Sequence, residues 1–538
     1  MGLIALPKRS VRMDLLELRR TFSPIAVKER PMELSVVTGD ITAQAVNAIV
    51  VNLFEGVAAP AGGTGAVDAA TGGAISTLIA DGEIKGSRGE VTVIHTIGDT
   101  YSGFVPDRVL VVGLGKSENF DLDGVRSVSA IVARRLRTLN VESAATIVHG
   151  AGIGGLDPEA AAEALAEGAI LGLYRFDKYR TSSKPKFDET RPTTLALVNN
   201  DSSKAPALAA GVSRAQAFAG ASIAARDMVS EPANVLHPTR LAEIATGIAA
   251  EGGMAIEVLE KADCEALEMG AYVGVSLGSH QPLKFIHMTY EGDVGNPDNN
   301  LWIIGKGITF DSGGISLKGG AGMGAMKGDM SGGAAAIASM QAIATLKPVL
   351  NVHMVCAATE NMPGGGAQRP GDVVIAMGGK SIEVDNTDAE GRLTLADAIG
   401  FAKSNGAKRI VDIATLTGAM VVALGMGHSG AFSNDDELVD QMIAAGHTRG
   451  EPIWRMPLDP ITKKQNRSDI ADLKNTGGRG AGSITAAHFI GEFAGDTPWV
   501  HLDIAATNMG RSVHDWEPTG ATGVPTRALI QLAMDLGS

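Results

Sequence analysis

The stretch "LWIIGKGITFDSGGISLKGGAGMGAMKGDMSGG", residues 301–333, begins as an apolar strand, continues as a glycine-rich loop and ends where an alanine-rich helical pattern starts. The same order recurs along the second half of the chain, with further strand patterns at 284–290, 351–358, 409–416 and 499–506. Continuous apolar strands that alternate with helices are typical of a mainly parallel sheet covered on both faces. The sequence therefore predicts an α/β domain with its functional loops at the strand ends.

The first part of the chain predicts a second α/β domain. Residues 33–53 indicate two strands joined by a turn, and an alanine-rich helix at 157–175 has Pro158 in its first turn. The polar stretch at 181–192 is typical of a surface loop, and a helical pattern restarts at 214–228. We expect three segments: an N-terminal domain at 1–206, a linker helix at 207–227 and a larger domain at 228–538.

The composition limits the classes of protein that the chain can represent. With 538 residues it is too long for one ordinary hydrophobic core. The 60 acidic residues exceed the 46 basic ones, and this net charge of −14 argues against nucleic acid or an anionic membrane as the main partner. Cys264 and Cys356 are too few for a disulfide framework and fit a reducing compartment as buried thiols.

No targeting or membrane segment is indicated by the sequence. Residues 1–20 mix acids with bases and lack the long apolar region of a signal peptide. The longest apolar stretch, 413–427, is shorter than the roughly 20 residues that a spanning helix requires. We therefore expect a cytoplasmic protein without a membrane partner.

Two clusters of charged residues are candidates for chemistry. In the first, "VDNTDAEGRLTLADAIG" at 384–400, Asp388, Glu390 and Arg392 occupy alternate positions before a helical pattern. Alternate side chains of an extended segment share one side, so we expect this segment to be extended and its charges to approach a common centre. Two carboxylates held together repel each other unless a cation neutralises them. A solvated loop before a helix is the alternative interpretation.

The glycine-rich loop supplies the second cluster, on a backbone that can fold closely around a small object: Lys306, Asp311, Lys318 and Asp329. With Asp388 and Glu390 the number of carboxylates becomes four, which matches the charge of two divalent cations. Oxygen ligands suit zinc, manganese, magnesium or cobalt. Paired metals polarise a carbonyl and generate hydroxide at neutral pH, so the sequence predicts hydrolysis.

Other motifs are weaker. The glycine-rich loop lacks the order of a phosphate-binding loop, and its acids would repel phosphate. The segment "GVSLG" at 274–278 fits the G-x-S-x-G pattern of serine hydrolases with Ser276 as nucleophile, but a strand pattern follows where that motif requires a helix. His428 is the one histidine expected near the site. Three others are expected to be packed in strands: His287, His353 and His501.

Four motifs are similar to those of one enzyme family. The segments "KGITFDSGG" (306–314), "MKGDM" (326–330), "NTDAEGRL" (386–393) and "DIATLTGA" (412–419) resemble the leucyl aminopeptidase, or cytosol aminopeptidase, family of two-metal exopeptidases. The N-terminal segment "VVTGDIT" is similar to the macro-like accessory domain of these enzymes. The resemblance implies an N-terminal macro-like α/β domain and a larger C-terminal catalytic α/β domain with a mainly parallel central sheet.

The resemblance also implies a role for each charged residue. One metal would be held by Asp311, Asp388 and Glu390. The other would be held by Lys306, Asp311, Asp329 and Glu390. Lys318 would polarise the scissile carbonyl, and Arg392 would hold a bicarbonate that acts as general base. The substrate would contact Met326, Asn386, Thr415, Leu416 and Gly418.

The implied reaction is hydrolysis of the N-terminal amino acid, leucine and other mostly hydrophobic residues, from peptides by a water that two metals activate. The metals would be zinc or manganese, with magnesium or cobalt as alternatives. The implied partners are peptide substrates and other copies of the chain in a homohexamer. Two other function classes stay open: a serine hydrolase that uses Ser276, and an N-terminal domain that binds ADP-ribose or nucleic acid. We expect that domain to serve in assembly and access instead.

Overall fold

Two large sheets, one in each half of the chain, confirm the predicted alternation of strands and helices. The computed structural model describes residues 32–97, 101, 103–152, 154–180, 192–511 and 513–538. Both sheets are mixed, with parallel pairs in the majority, and helices cover them. The architecture is therefore a pair of α/β domains, as the strand and helix patterns predict.

The N-terminal sheet contains the strands β1 (Glu33–Thr38), β2 (Ala48–Phe54), β3 (Val91–His95), β4 (Arg108–Gly115), β5 (Ser143–Ile147) and β6 (Thr194–Asn199). Their order is β1-β6-β5-β2-β4-β3, and every neighbouring pair is parallel except β3 with β4. The predicted turn after the first strand is present. There the Asp40 carboxylate accepts a hydrogen bond from the backbone amide of Thr42, which fixes the direction of the chain between β1 and β2.

The C-terminal half contains the strands β7 (Ala255–Leu259), β8 (Lys284–Glu291), β9 (Asn300–Asp311), β10 (Asn351–Asn361), β11 (Asp372–Ile375), β12 (Ser381–Val384), β13 (Ile410–Ala414), β14 (Ser429–Ser433), β15 (Ile453–Arg455), β16 (Leu473–Lys474), β17 (Trp499–Asp503), β18 (Met509–Arg511) and β19 (Thr519–Ala521). The main sheet has the order β15-β14-β17-β13-β9-β10-β8-β7. Its centre, β17-β13-β9-β10, is parallel, whereas β7, β8 and β14 run antiparallel to an inner neighbour.

The helices are α1 (Gly62–Ala70), α2 (Ala74–Ala80), α3 (Leu122–Thr138), α4 (Pro158–Gly172), α5 (Ala205–Ser230), α6 (Pro238–Gly252), α7 (Lys261–Ala266), α8 (Gly270–Ser276), α9 (Ser331–Leu346), α10 (Gly391–Ser404), α11 (Gly418–Leu424), α12 (Asp436–Thr448), α13 (Pro460–Lys463), α14 (Gly482–Ala494) and α15 (Thr526–Leu536). Helix α4 confirms the prediction for 157–175. Asp157 caps it by accepting from the Ala160 amide, and Pro158 lies in its first turn.

Helix α5 is longer than the sequence predicts. It begins at Ala205, before the predicted restart at 214, because it continues directly from a short 3-10 turn at Ser202–Lys204. It packs along α4, where a Cβ on Gly211 would lie 2.3 Å from the carbonyl oxygen of Glu159, so only glycine permits this approach. The predicted linker helix at 207–227 lies inside α5. The predicted loop at 181–192 lies outside the described residues except for Pro192, and the domain boundaries stay predictions.

The main sheet has a hydrophobic layer on each face. Ile286 and Ile303 belong to one layer, and Phe285 and Trp302 belong to the other, as expected for neighbouring residues of a strand. Cys264 and Cys356 are buried and unpaired, as predicted. Burial raises the pKa of each thiol to about 12. These cysteines are therefore structural.

Candidate metal centre

The site lies where the central parallel strands end. Lys306 is part of β9 and Asp311 is its last residue. Asp329 follows a 3-10 turn at Met323–Gly328 and lies two residues before the start of α9. Because the carboxyl ends of parallel strands meet at one edge of a sheet, these side chains converge at the place where such folds bind ligands.

Close packing brings α9 to this edge. A Cβ on Gly332, in the first turn of α9, would lie 2.0 Å from the carbonyl oxygen of Ile413 in β13. Only glycine allows the helix to start this close to the strands. The N-terminus of α9, and Asp329 just before it, are thereby placed against the residues of β9. The glycines of the loop are thus part of the geometry of the site.

Lys306 is the buried cation of the site. Its side chain is 4% exposed, and its Nζ lies 2.8 Å from Asp329 Oδ2 and 2.8 Å from Glu390 Oε1. The same Nζ donates to the carbonyl of Thr415 at 3.2 Å. Burial alone would lower the pKa of Lys306, but the surrounding carboxylates outweigh burial and raise it. A Cβ on Gly391 would lie 2.7 Å from this Nζ, so a side chain at that position would displace the Lys306 amine.

Lys318 is the second cation and is more accessible. Its side chain is 24% exposed, its Nζ lies 2.8 Å from Asp311 Oδ2, and it forms an ion pair with Asp388. Burial by itself would lower the pKa of Lys318, but Asp311 and Asp388 raise it. The two lysines therefore divide the carboxylates between them, one on the inside and one at the surface.

The carboxylates fit a bound cation. Oxygen atoms of Asp311, Asp329 and Glu390 all lie within 4.8 Å of one another. Burial raises the pKa values of Asp329 and Glu390 in spite of Lys306, and it also raises the pKa of Asp388. Four carboxylates face only two lysines, so the protein leaves this buried cluster short of positive charge. Hard divalent cations prefer such an oxygen donor set.

The segment that carries Asp388 and Glu390 is not extended, and that prediction was wrong. The chain turns, with the Ala389 amide donating to the carbonyl of Asn386 at 3.2 Å, and Glu390 already has helical dihedral angles. Helix α10 begins at Gly391 rather than near Leu393. The charges still approach a common centre because the turn, not an extended strand, directs them there.

Sequence reasoning missed the polar residues that hold the carboxylates. Asn361 Nδ2 donates to Asp311 Oδ1 at 2.8 Å and to the carbonyl of Thr387 at 3.0 Å. Thr387 Oγ1 donates to the carbonyl of Gly313 at 2.7 Å, which ties the turn to the glycine-rich loop. Asn361 ends a buried strand, and a polar residue at the carboxyl end of a parallel strand is a signal that could have indicated it. Asn475 also contacts the turn, without any local signal.

Arg392 lies in the first turn of α10, behind the carboxylates. The residue is 7% exposed, and Nη1 donates to the carbonyl of Asn475 at 2.8 Å. Nε is buried and has no hydrogen-bond partner in the described part of the chain. Burial lowers the pKa of Arg392 to about 10, although Glu390 and Asp503 oppose this shift. The group is therefore a cation with donor capacity to spare.

The five candidate substrate residues lie in loops or at loop ends around the buried carboxylates. Met326 precedes Asp329, Asn386 opens the turn before Asp388, and Thr415, Leu416 and Gly418 follow β13. Gly418 is exposed and the other four are half-buried. Thr415 Oγ1 donates to Asp329 Oδ1 at 2.7 Å. We call these five residues the rim residues.

The contacts described for Ser276 and His428 are with residues outside the carboxylate cluster. Ser276 is the last residue of α8 and its hydroxyl donates to the carbonyl of Val273 at 2.7 Å. A nucleophile elbow would instead have a helix starting at the serine. His428 packs edge-on against Trp454, with ring centroids 6.0 Å apart.

Comparisons with known proteins agree with this geometry. The profile of the cytosol aminopeptidase family, catalytic domain, matches residues 223–530, and that of the same family's N-terminal domain matches residues 50–183. The chain belongs to the cytosol aminopeptidase family. A probable cytosol aminopeptidase of Alkaliphilus metalliredigens is 41% identical over 94% of this chain and 100% of the relative. One from Solibacter usitatus is 44% identical over 85% of this chain and 92% of the relative.

Two solved structures have the same fold. A mutant of tomato leucine aminopeptidase superimposes with a TM-score of 0.83 at 29% identity, over 94% of this chain and 97% of that one. The bottromycin maturation enzyme BotP in complex with Mn gives a TM-score of 0.80 at 32% identity, over 92% of this chain and 100% of that one. As a member of the cytosol aminopeptidase family, this chain is a metal-dependent aminopeptidase that acts on peptides. Within the described ranges, no helix is both long and apolar enough to cross a membrane.

Proposed function

We propose that this cytosol aminopeptidase removes leucine and other mostly hydrophobic residues from the N-termini of peptides with two divalent metal ions per subunit. The observation that carries the proposal is the buried cluster in which four carboxylates face two lysines. The two lysines leave two negative charges of the carboxylates unbalanced, and three once Lys306 loses its proton to become a ligand, so the proposed divalent cations supply the missing positive charge. Zinc or manganese is the proposed metal, with magnesium or cobalt as alternatives.

The metal ligands of the proposal come from this cluster. One site consists of Asp311, Asp388 and Glu390. The other consists of Lys306, Asp311, Asp329 and Glu390. The distances between oxygens of Asp311, Asp329 and Glu390, all within 4.8 Å of one another, support this assignment. When bound, the two metals supply polarisation of the scissile carbonyl and a lowered pKa for water. Lys306 must lose its proton to act as a ligand, and nearby divalent cations favour that loss.

Lys318 and Arg392 have separate roles in the proposal. Lys318 is the more exposed lysine, so it can donate a hydrogen bond to the scissile carbonyl oxygen, where negative charge develops. Arg392 holds a bicarbonate that serves as general base. Its buried Nε without a partner in the described chain supports an anion at that position.

The rim residues provide the substrate contacts of the proposal. Met326, Thr415 and Gly418 line the pocket for the first side chain, and Asn386 and Leu416 contact the substrate. Asp329, held by the hydroxyl of Thr415, binds the free α-amine together with one metal. This arrangement requires a charged N-terminus, so the enzyme acts as an exopeptidase.

The setting of the enzyme is also part of the proposal. The chain works in the cytoplasm as a homohexamer, and its N-terminal domain serves assembly and access rather than ADP-ribose binding. The acidic net charge of −14 supports the absence of a nucleic-acid partner.

The decisive experiment combines metal analysis with activity. Purified enzyme should contain two divalent ions per chain, lose activity with a chelator, and regain it with manganese, zinc or cobalt. Fully active enzyme without metal would refute the proposal.

A second measurement tests the exopeptidase direction. A leucyl peptide should be cleaved, and the same peptide with an acetylated N-terminus should not, because the acetyl group removes the α-amine charge. Efficient cleavage of the blocked peptide would contradict the role given to Asp329.

A further inference from the structure

Asn475 connects the metal-binding turn with the catalytic arginine. It follows β16 and its side chain is fully buried. Its Oδ1 accepts from the backbone amides of Asp385 at 2.8 Å and Asn386 at 3.2 Å. Its Nδ2 donates to the carbonyls of Asn386 at 2.7 Å and Ala389 at 3.3 Å. Its own carbonyl accepts from Arg392 Nη1 at 2.8 Å. One residue thus contacts both ends of the turn and the guanidinium.

The bonding pattern requires a primary amide. Two backbone donors and two backbone acceptors of the turn meet one side chain, and only asparagine or glutamine offers both kinds of atom. A carboxylate of the same shape would keep the acceptor oxygen but lose both donors, and its charge would face two carbonyl oxygens. The geometry of the turn therefore depends on the amide rather than on side-chain volume.

The turn that Asn475 holds carries functional groups on both sides. Asp388 lies inside it, and Glu390 follows it directly. The Asn475 carbonyl engages Nη1 of Arg392, which leaves Nε free of any partner among the described residues. The same residue therefore sets the position of two carboxylates relative to one guanidinium.

We propose that Asn475 is a positioning residue of the hydrolytic reaction. It fixes the position of the turn at 385–389 relative to the Arg392 guanidinium, so that the carboxylates and the arginine act on the same substrate. This inference rests on the proposed roles of Asp388, Glu390 and Arg392. It adds that an uncharged residue, which contacts neither metal nor substrate, determines metal affinity and turnover together.

The test compares Asn475→Asp with a matched control, Asn300→Asp. Asn300 is also a buried asparagine, 4% exposed, and it also joins backbone groups. Its Nδ2 donates to the carbonyl of Pro297 at 2.8 Å, and its Oδ1 accepts from the Lys408 amide at 2.9 Å. It starts β9, at the opposite end of the strand from Asp311. Asn475→Ser is a second, smaller variant in case the carboxylate prevents folding.

The readouts are Mn²⁺ affinity by calorimetry on full-length protein, the thermal midpoint, and kcat and KM for L-leucinamide. Asn475→Asp and Asn475→Ser should bind Mn²⁺ about 10–100-fold more weakly. At saturating Mn²⁺ their kcat should still be about 10²-fold lower, as expected for misplaced catalytic groups. Asn300→Asp should lower the thermal midpoint while leaving Mn²⁺ affinity and kcat unchanged.

Three outcomes would overturn the inference. The first is that the folded Asn475 variants match Asn300→Asp in Mn²⁺ affinity and kcat. The second is a kcat that returns to the wild-type value at saturating Mn²⁺, because Asn475 would then affect metal binding but not the position of Arg392. The third is that both Asn475 variants fail to fold while Asn300→Asp folds, since the residue would then be a determinant of folding. Wild-type protein that neither binds Mn²⁺ nor hydrolyses the amide would instead refute the proposed function.

Discussion

Glu390 and Glu167 are both buried glutamates, but their surroundings differ in charge balance. Glu390 belongs to the candidate metal centre, which we call the metal cluster and in which the four carboxylates of Asp311, Asp329, Asp388 and Glu390 face two lysines. Glu167 belongs to a second buried group, which we call the arginine cluster and which contains Arg126, Arg449, Arg527, Glu163, Glu167 and Glu451. In the arginine cluster three positive charges face three negative ones.

The arginine cluster joins helices from distant parts of the sequence. Glu167, in α4, lies 2.8 Å from Arg126 Nε in α3 and 2.9 Å from Arg527 Nη1 in α15. Arg527 Nε also lies 3.1 Å from Glu451 Oε1, and Arg449 pairs with Glu163. These contacts hold the helices that cover the N-terminal sheet against the last helix of the chain.

The two glutamates titrate in opposite directions. Burial alone would raise the pKa of Glu167, but Arg126, Arg527 and Arg449 outweigh it and lower this pKa to about 2. Burial and Asp311 raise the pKa of Glu390, and Lys306 does not compensate. A buried charge that the protein balances by itself supports the fold. A buried charge that the protein leaves unbalanced indicates a site that an external cation completes.

The largest expected effect is on activity, from Glu390→Gln. The substitution removes a proposed ligand of both metals, so hydrolysis of L-leucinamide should fall to background. Because the cluster has excess negative charge, the metal-free variant should be at least as resistant to urea as metal-free wild type. A large loss of stability in the metal-free variant would show that Glu390 stabilises the fold as Glu167 does, and the two clusters would then not differ in this respect.

The matched change in the arginine cluster, Glu167→Gln, should act on stability instead. It removes the carboxylate that Arg126 and Arg527 share, so that each buried arginine keeps one carboxylate partner instead of two. Breaking buried ion pairs in this way costs about 3–5 kcal/mol. Urea-induced unfolding measures this loss, and kcat per folded molecule should stay unchanged. Loss of turnover in fully folded Glu167→Gln would show that the arginine cluster also serves the reaction.

The pH dependence provides a second readout for the same variant. The folded-state pKa of Glu167, about 2, lies below its ordinary value of 4.5. The stability that Glu167 contributes is therefore fully present above pH 4.5 and is lost as the pH falls towards 2. The difference in stability between wild type and Glu167→Gln should narrow as the pH is lowered from about 6 to about 3. A constant difference would contradict the assignment.

The local parts of both the fold and the site could be predicted from the sequence. Strand β9, helix α4 and the carboxylates of the "NTDAEGRL" motif are indicated by periodicity, by an N-terminal cap or by residue type within a short window. The family profiles and the relatives confirm the resemblance that these motifs carry. Local patterns were sufficient there because each depends on neighbours within a few positions.

The contacts over long sequence separations could not be predicted. Asn475 reaches a turn about 90 positions away, and Arg527 reaches Glu167 across 360 positions. Neither residue occupies a motif or a periodic pattern of its own. The wrong prediction of an extended segment at Asp388 has the same origin, because hydrogen bonds from Asn475 and Asn361 stabilise the turn. Pairings of this kind are set by tertiary structure rather than by local propensity.

Within the metal cluster, substitution of the two lysines should have different effects on turnover and on metal content. Lys318→Ala removes the cation that we propose to face the substrate carbonyl, so kcat should fall by about 10²–10³ while both metals stay bound. Lys306→Ala removes a proposed ligand, so the occupancy of one metal should fall. Metal content by mass spectrometry of the purified variants, measured beside kcat, separates these outcomes. Loss of metal from the Lys318 variant with full occupancy in the Lys306 variant would reverse the two roles.

The smallest expected effect comes from Ser276→Ala, which tests whether an uncharged residue outside both clusters takes part in catalysis. Its hydroxyl donates to the carbonyl of Val273 at 2.7 Å within its own helix, and the side chain is buried. Removing that bond costs about 1 kcal/mol of stability. Because α8 ends at Ser276 instead of beginning there, kcat/KM should equal the wild-type value, and a serine-directed reagent should leave activity intact. A loss of turnover by orders of magnitude in the folded Ser276 variant would restore the serine-hydrolase hypothesis and contradict the metal-cluster mechanism.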